Sequence, residues 1–166
     1  MNVTLIGMPG SGKSSVGRLL AKRLGCAFLD VDSLIVQAYR APNLQAVLNR
    51  LGNEKFLDAE AEIIAALDCQ NTVLAPGGSA VLREKGALRL KELGPVVYLN
   101  PSCATLEKRL GNLSTRGVTL APGQSIQALY DYRSPFYEKY ADCTVDSDQP
   151  QITQTVELIL AALKQL

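Results

Sequence analysis

The sequence predicts an α/β fold in which a five-stranded parallel sheet carries helices on both faces. Two observations support this fold. Short apolar segments of strand length recur along the chain, and stretches whose apolar residues have helical spacing separate them. Because strands that alternate with helices usually pair in parallel, the functional residues are expected at the carboxyl edge of the sheet. The predicted strands are residues 2–6, 26–29, 71–75, 95–99 and 143–145.

Three predicted helices show a periodic apolar face most clearly. The first has Val16 and further apolar residues at the third, fourth and eighth positions after it, and Gly25 supplies a stop. A second helix is predicted near residues 54–68. A third, close to the last residue of the sequence, places Ile152 and Val156 on one face. Each of these helices would bury one face against the sheet.

The composition is that of a globular chain of one-domain size. The 166 residues are 47% hydrophobic and 20% charged, and 17 basic residues against 16 acidic ones give a net charge of +1. This balance does not favour binding to nucleic acid or to an anionic membrane, so a small-molecule partner is expected. No apolar segment has the length of a membrane span, and no signal-peptide pattern opens the chain. We therefore expect a single cytoplasmic domain over residues 1–166, acting as a monomer.

The four cysteines are far apart in the sequence, at Cys26, Cys69, Cys103 and Cys143, and there is no histidine. Without a C-x-x-C pair or a histidine, the sequence does not favour a zinc site or a histidine-based catalytic triad. We expect the four thiols to be reduced and half-buried.

The segment GMPGSGKS, residues 7–14, fits the phosphate-binding pattern G-x-x-x-x-G-K-[ST]. It lies between a predicted strand and a predicted amphipathic helix, which is the structural context that this motif requires. Backbone N–H groups would surround the phosphates, Lys13 would supply a positive charge, and Ser14 could bind Mg²⁺. The sequence thus predicts a P-loop NTPase fold that binds a nucleoside triphosphate. The predicted ATP-binding residues of the loop are Gly10, Ser11, Gly12, Lys13, Ser14 and Ser15.

Two carboxylates follow the second predicted strand, in the segment FLDVD. At the carboxyl end of a parallel strand, Asp30 could face a metal ion while Asp32 faces the hydroxyl group of an acceptor. The alternative interpretation is that Asp32 only caps a helix that begins at Ser33.

Residues 111–125, GNLSTRGVTLAPGQS, show neither helical nor strand periodicity and contain three glycines. A loop of this length in a compact domain usually has a function, and we predict a mobile lid over about residues 111–123.

With these segments in view, the chain resembles the shikimate kinase family of P-loop kinases over nearly its whole length. The resemblance rests on six segments in the same order and at similar spacing. They are residues 7–25, 28–32, 52–60 (GNEKFLDAE), 74–81 (LAPGGSAV), 107–117 (EKRLGNLSTRG) and 132–141 (YRSPFYEKYA). The resemblance implies a Mg²⁺-dependent transfer of phosphate from ATP to a hydroxyl group of a small carboxylate metabolite, in amino-acid biosynthesis.

For the phosphate donor, the resemblance implies that Lys13 and Ser14 bind ATP and magnesium, and that Asp30 reaches the metal through water. Arg109 looks like the family's residue at the adenine ring, and Arg116 looks like its lid arginine, which closes over the transferred group. The alternative for both arginines is an ordinary solvated charge.

For the acceptor, the resemblance implies a binding segment at about residues 31–60. Asp32 would hold the acceptor hydroxyl and take its proton, Gly77 and Gly78 would form the floor of the site, and Arg133 would bind the acceptor's carboxylate. Alternatively, Arg133 could stack on a neighbouring tyrosine.

The acceptor half departs from the family pattern. Leu57 replaces an arginine that binds the acceptor's carboxylate, and Asn53 replaces a glutamate. Pro76 and Ser79 stand where a threonine and a third glycine are usual. Loss of one partner of a buried charge pair typically costs about 2–5 kcal/mol, which is enough to change the substrate. Lys55 could compensate for Leu57 if its side chain reached the site.

Glu60 would orient the missing arginine in the family's arrangement, and it is one helical turn from Leu57. We interpret Glu60 as an acceptor-binding residue. Three hypotheses about the function of the protein follow. The acceptor could be shikimate, or a small hydroxy amino acid such as homoserine whose ammonium group Glu60 would receive. The chain could also be a non-catalytic nucleotide-binding module. Glu60 itself could instead be exposed to solvent.

Overall fold

The computed structural model describes residues 1–111 and 123–166. Their central element is a single parallel sheet in the order β2-β3-β1-β4-β5. The strands are β1 (Val3–Ile6), β2 (Ala27–Asp30), β3 (Thr72–Ala75), β4 (Val96–Leu99) and β5 (Cys143–Val145). The prediction of five parallel strands is confirmed, and each observed strand lies within one residue of its predicted bounds.

Eight helices are present in the described ranges. They are α1 (Lys13–Leu24), α2 (Val31–Ala38), α3 (Leu44–Leu51), α4 (Asn53–Ala65), α5 (Glu84–Leu93), α6 (Cys103–Leu110), α7 (Ile126–Tyr140) and α8 (Ile152–Leu163). Helix α1 ends where the sequence predicts, because Gly25 caps it in the left-handed conformation with φ 67°. Helix α4 begins one residue before its predicted start and ends three residues before its predicted end.

The sheet buries apolar side chains on both faces, as predicted. On one face, α1 and α8 contribute Leu20 and Val156 to a core that includes Leu5 of β1. On the other face, Ile6 of β1 belongs to a second core, which includes Tyr137 of α7. Because neighbouring residues of a strand point to opposite faces, β1 contributes to both cores and holds the loop that follows it.

Of two further expectations, the structure agrees with the one for the cysteines and corrects the one for Ile152. All four cysteines are free and half-buried, as expected. Ile152, in contrast, was expected on the buried face of the last helix but is 45% exposed, because it lies in the first turn of α8. Within that helix, Val156 and Ile159 are fully buried.

Residues 31–60, the predicted acceptor-binding segment, form α2, α3 and the first part of α4. This segment has a small apolar core of its own, which consists of Ile35, Val47, Leu48 and Phe56. Helix α3 is capped by Asn43, whose side chain accepts a hydrogen bond from the Ala46 N–H at 2.9 Å. The segment is thus packed as a unit beside the carboxyl edge of the sheet.

None of the helices in the described part of the chain has the length and apolar composition needed to span a bilayer. Most of the predicted lid, including Arg116 and Gly117, lies at residues 112–122, outside the described residues.

Candidate active site

The loop between β1 and α1 contains the predicted phosphate-binding residues. A Cβ atom on Gly7 would stand 2.5 Å from the Leu99 carbonyl oxygen, so only glycine fits beside strand β4 at this point. The loop then turns into α1, where the Val16 N–H donates to the Gly12 carbonyl at 2.8 Å. Ser11 is buried within the loop, whereas Ser14 and Ser15 are exposed at the start of the helix. The helix N-terminus therefore faces the cavity in which a phosphate group would bind.

Lys13 points back into this loop. Its Nζ atom donates hydrogen bonds to the carbonyl oxygens of Gly7 at 2.8 Å and Met8 at 2.9 Å. Burial lowers the pKa of Lys13 to about 8, although the negative charges of Asp32 and Glu60 favour the protonated form. A phosphate group in the loop would add a strong negative partner for this ammonium group.

One cavity of about 500 Å³ connects the phosphate-binding loop to the acceptor-binding segment. The predicted residues that line it are Gly10, Gly12, Lys13, Ser14, Ser15, Asp30, Asp32, Gly77, Gly78 and Arg133. The structure thus brings together groups from both the predicted donor half and the predicted acceptor half. Leu44 and Phe56 form an apolar wall of the cavity, which the sequence analysis did not identify.

Asp30 and Asp32 lie at the junction of β2 and α2. Asp30 is the last residue of β2 and also caps α2, since its Oδ1 atom accepts a hydrogen bond from the Asp32 N–H at 3.1 Å. The helix begins at Val31, so the interpretation of Asp32 as the cap of a helix starting at Ser33 is wrong. Burial and the neighbouring Asp30 charge raise the pKa of Asp32 to about 6, while Lys13 opposes the shift.

Gly77 and Gly78 form the floor of the cavity, as predicted. A Cβ atom on Gly77 would lie 2.8 Å from Asp32 Oδ1 and 2.9 Å from Glu60 Oε1. A Cβ atom on Gly78 would lie 2.8 Å from Cδ of Pro9 and 3.1 Å from Nη1 of Arg133. The absence of side chains at these two positions therefore lets three charged groups approach one short piece of backbone.

Glu60 is buried, with 1% of its surface exposed, so the interpretation of Glu60 as a solvent-exposed residue is wrong. Its Oε2 atom accepts a hydrogen bond from the Ser79 hydroxyl at 2.6 Å, and its Oε1 atom has no hydrogen-bond partner within the described ranges. Burial raises the pKa of Glu60 to about 7 against the opposing effect of the Ser79 hydrogen bond. The sequence analysis noted Ser79 as a departure but did not predict this contact.

Arg133 is also buried, on helix α7, and it lines the cavity. The neighbouring Tyr137 donates its hydroxyl hydrogen to the Gly78 carbonyl at 2.6 Å and so joins α7 to the floor. Burial raises the pKa of Tyr137 to about 12, although the Arg133 guanidinium acts in the opposite direction. No pattern in the sequence predicted this contact between Tyr137 and the site.

Arg109 does not line this cavity but lies beside the phosphate loop. Its guanidinium donates to the carbonyl oxygens of Gly10 at 3.1 Å and Ser147 at 3.4 Å. These residues line a second cavity, which Ser11 and Pro150 also line. This position, beside the phosphate loop and away from Asp32, could hold the base of a nucleotide.

The structure also locates the departures from the family pattern. Leu57 is buried in α4, but neither it nor the exposed Lys55 lines the cavity. Lys55 therefore does not replace the missing arginine here. Asn53 is the first residue of α4 and is exposed.

Ser14 and Asp30 provide the oxygen atoms on the donor side of the cavity that could face a magnesium ion. The described residues contain no cluster of three or more side chains suited to hold a metal. Mg²⁺ does not need such a cluster, because it is usually bound through one or two protein groups together with water and substrate phosphates. The residues present therefore fit a magnesium ion that arrives with ATP.

A parallel sheet with a lysine-bearing phosphate loop, joined by one cavity to a carboxylate and a buried arginine, defines a P-loop small-molecule kinase. A sequence profile of the family described as shikimate kinase matches residues 9–164. The chain belongs to the shikimate kinase family. It is therefore an ATP-dependent kinase that acts on a hydroxyl group of a small carboxylate metabolite.

Individual relatives agree with this assignment. The chain is 35% identical over 164 residues to a shikimate kinase of Ruegeria pomeroyi, covering 97% of this chain and 84% of that protein. A solved shikimate kinase of Acinetobacter baumannii, in complex with shikimate, superposes with a TM-score of 0.90 at 29% identity, covering 99% of this chain and 93% of that one. A shikimate kinase of Aquifex aeolicus gives a TM-score of 0.82 at 27% identity and covers 99% and 97%. The hydroxy amino acid kinase and the non-catalytic module are not favoured by these relatives.

Proposed function

We propose that this kinase transfers the terminal phosphoryl group of ATP to a hydroxyl group of shikimate. The observation that carries the proposal is the convergence of Asp32, Glu60 and Arg133 on Gly77 and Gly78, two glycines that line the same cavity as Lys13. Shikimate is a carboxylate with several hydroxyl groups. It therefore offers an anion to a buried guanidinium and hydroxyl donors to buried carboxylate oxygens. The relative from Acinetobacter baumannii, solved with shikimate, supports the same acceptor.

On the donor side, the backbone of residues 10–15 and the ammonium group of Lys13 would bind the phosphates of ATP. Ser14 would bind magnesium directly and Asp30 through water, and the metal would neutralise part of the phosphate charge. Arg109 would lie beside the adenine ring in the second cavity. With ATP and the acceptor bound in this way, the transferred phosphoryl group would lie between Lys13 and Asp32, which line the same cavity.

On the acceptor side, Asp32 would accept a hydrogen bond from the reacting hydroxyl and take its proton. With its pKa raised to about 6, this carboxylate is ionised at neutral pH and is a stronger base than an exposed aspartate. Arg133 would bind the carboxylate of the acceptor. Arg116, in the proposed lid over residues 111–123, would stabilise the charge of the transferred group and exclude water.

The test is ADP release by the purified protein with ATP and Mg²⁺, measured with shikimate, homoserine, other hydroxy acids and no acceptor. Stimulation by shikimate at sub-millimolar concentration is the expected result. Stimulation by homoserine alone would contradict the choice of acceptor. Bound ATP with no stimulation by any acceptor would contradict the assignment of a shikimate-phosphorylating activity.

Two variants of helix α1 show whether the measured activity belongs to this site. Lys13→Ala removes the phosphate-binding ammonium group and should abolish shikimate-dependent ADP release. Lys22→Ala removes an exposed lysine of the last turn of the same helix and should leave the activity unchanged. Activity that survives in Lys13→Ala would point to a contaminating kinase.

A further inference from the structure

The hydrogen bond between Ser79 and Glu60 lies on the acceptor side of the cavity, and the roles proposed above do not use it. Ser79 is 7% exposed and Glu60 is 1% exposed, so both groups are almost completely removed from water. The distance of 2.6 Å from Ser79 Oγ to Glu60 Oε2 is that of a strong hydrogen bond to a charged acceptor. This contact fixes the rotation of the Glu60 carboxyl group.

With Oε2 held by Ser79, the other oxygen of Glu60 is directed toward Gly77. It lies 2.9 Å from the position of a Cβ atom on that residue, and Asp32 Oδ1 lies 2.8 Å from the same position. Both oxygens are buried and have no hydrogen-bond partner within the described residues. Two buried acceptors without donors are costly, and a ligand that donates one hydrogen bond to each would remove that cost.

We propose that Ser79 is a positioning residue for the acceptor. Its hydroxyl holds Glu60 so that Glu60 Oε1 accepts a hydrogen bond from a second hydroxyl group of the acceptor, next to the hydroxyl held by Asp32. The site would then prefer acceptors with two neighbouring hydroxyl groups to those with one. This inference rests on the proposed function, because it assigns a further contact to the same bound acceptor.

The charged groups around Glu60 come from three other helices. Lys13 of α1 and Arg133 of α7 favour its ionised form, whereas Asp32 of α2 opposes it. Tyr137 of α7 also interacts with this carboxyl group. Ser79 adds a hydrogen bond that lowers the pKa of Glu60, although burial still raises it to about 7. Ser79 therefore helps to keep Glu60 ionised, the form that accepts a hydroxyl hydrogen most strongly.

The experiment compares the wild-type enzyme with Ser79→Ala, with shikimate as the variable substrate. Loss of the hydroxyl should raise KM for shikimate about tenfold, while kcat and KM for ATP change by less than about threefold. The acid limb of kcat/KM for shikimate should also move to higher pH, because Glu60 loses the bond that lowers its pKa. An acceptor that lacks one of the neighbouring hydroxyl groups should distinguish the two enzymes much less than shikimate does.

Thr72→Val is the matched control. Thr72 is a buried hydroxyl residue of β3 whose side chain donates to the Gln70 carbonyl at 2.9 Å, at the end of the strand away from the cavity. This variant should keep the KM of the wild type for both substrates. Ser79→Thr, which retains a hydroxyl group, should recover part of the affinity that Ser79→Ala loses.

An unchanged KM for shikimate in a folded Ser79→Ala enzyme would overturn the proposal, as would an equal rise in KM for ATP. If Ser79→Ala does not fold, Glu60→Gln tests the same contact and should raise KM for shikimate selectively. A wild-type enzyme that does not phosphorylate shikimate would contradict the proposed function instead. The Ser79 comparison would then use whichever acceptor stimulates ADP release, with the same two outcomes.

Discussion

Gly77 stands between the two carboxyl groups of the acceptor cavity. Any side chain there would begin with a Cβ atom less than 3 Å from an oxygen of Asp32 and from an oxygen of Glu60. Such distances are shorter than a van der Waals contact. The Glu60 carboxyl group is held in place by the hydrogen bond from Ser79. A methyl group at this position would therefore displace at least one of the two oxygens.

We expect Gly77→Ala to raise KM for the acceptor by about tenfold or more and to leave ATP affinity nearly unchanged. The physical reason is that the atoms nearest to the new methyl group belong to Asp32 and Glu60 rather than to the phosphate loop. Steady-state kinetics with each substrate varied in turn provides the measurement. Equal losses for both substrates would show that the substitution disturbs the whole site rather than the floor.

The residues of the acceptor site could be predicted because their order along the chain matches a known pattern. Asp32, Gly77, Gly78 and Arg133 all line the same cavity, as expected. The environment of Glu60 could not be predicted in the same way. Its hydrogen bond to Ser79 joins residues that are 19 positions apart. This contact depends on how α4 packs beside the loop after β3. The spacing of apolar residues along the sequence does not predict that packing.

Among the secondary-structure elements, helix α7 is joined to the floor of the cavity by a hydrogen bond from Tyr137. The Tyr137 hydroxyl donates to the Gly78 carbonyl, and the Tyr137 ring packs on Tyr98 of β4 with 5.0 Å between ring centroids. Arg133 lies one turn earlier on the same helix, so this attachment also determines how deeply the guanidinium reaches into the cavity.

We expect Tyr137→Phe to lower the free energy of unfolding by about 0.5–1.5 kcal/mol, because phenylalanine cannot make the partly buried hydrogen bond to the Gly78 carbonyl. KM for the acceptor should rise with it, because Arg133 loses a constraint on its helix. Tyr130→Phe is the matched control. Tyr130 is on the same helix, but its hydroxyl donates to Asn100 at 2.9 Å. Chemical denaturation and acceptor kinetics on both variants would test the role of α7. A similar rise in KM for both would contradict a specific role for Tyr137.

The strands were easier to predict than the helix boundaries, and two elements show why. Asp30 ends β2 and caps α2 at once, so no loop separates the two elements and α2 begins at Val31 rather than Ser33. Helix α4 ends at Ala65, yet Leu67 is only 8% exposed. The apolar pattern therefore continues past the last helical residue, because the chain remains in the core after it leaves the helix.

Across the molecule as a whole, the fold brings charged groups from four helices close to one another at the site. Lys13, Asp32, Glu60 and Arg133 come from α1, α2, α4 and α7, respectively, and the other three all act on the charge of Glu60. A carboxyl group whose pKa is higher in the folded protein binds its proton more tightly there than in the unfolded chain. Its contribution to stability is fully present below the unfolded pKa and is lost as pH rises through the folded pKa. For Glu60 this loss occurs between about pH 4.5 and 7. Lys13 has a lowered pKa of about 8, so it costs stability below that pH and the cost disappears as pH rises further. Glu60 and Lys13 together should therefore lower the free energy of unfolding of the free enzyme most at about pH 7–8.

Glu60→Gln should make the free protein more stable at pH 8 than the wild type, because the amide is never charged and still fits beside Ser79. A shift of the Glu60 pKa from 4.5 to about 7 corresponds to about 3 kcal/mol, which is roughly 6–12 °C in Tm for a chain of this size. The difference should be much smaller at pH 5, where the folded wild-type carboxyl group is protonated, and should vanish only below the unfolded pKa of 4.5. Glu62→Gln is the control, because Glu62 is exposed on the same helix and pairs with the exposed Lys85. It should show no such gain in stability.

Thermal unfolding of the three proteins between pH 5 and 8 would test this prediction. A Glu60→Gln variant that is less stable than the wild type at pH 8 would mean that Lys13 and Arg133 gain more from the Glu60 charge than its burial costs. The acceptor cavity would then be an electrostatically satisfied site rather than one that sacrifices stability to receive its substrate.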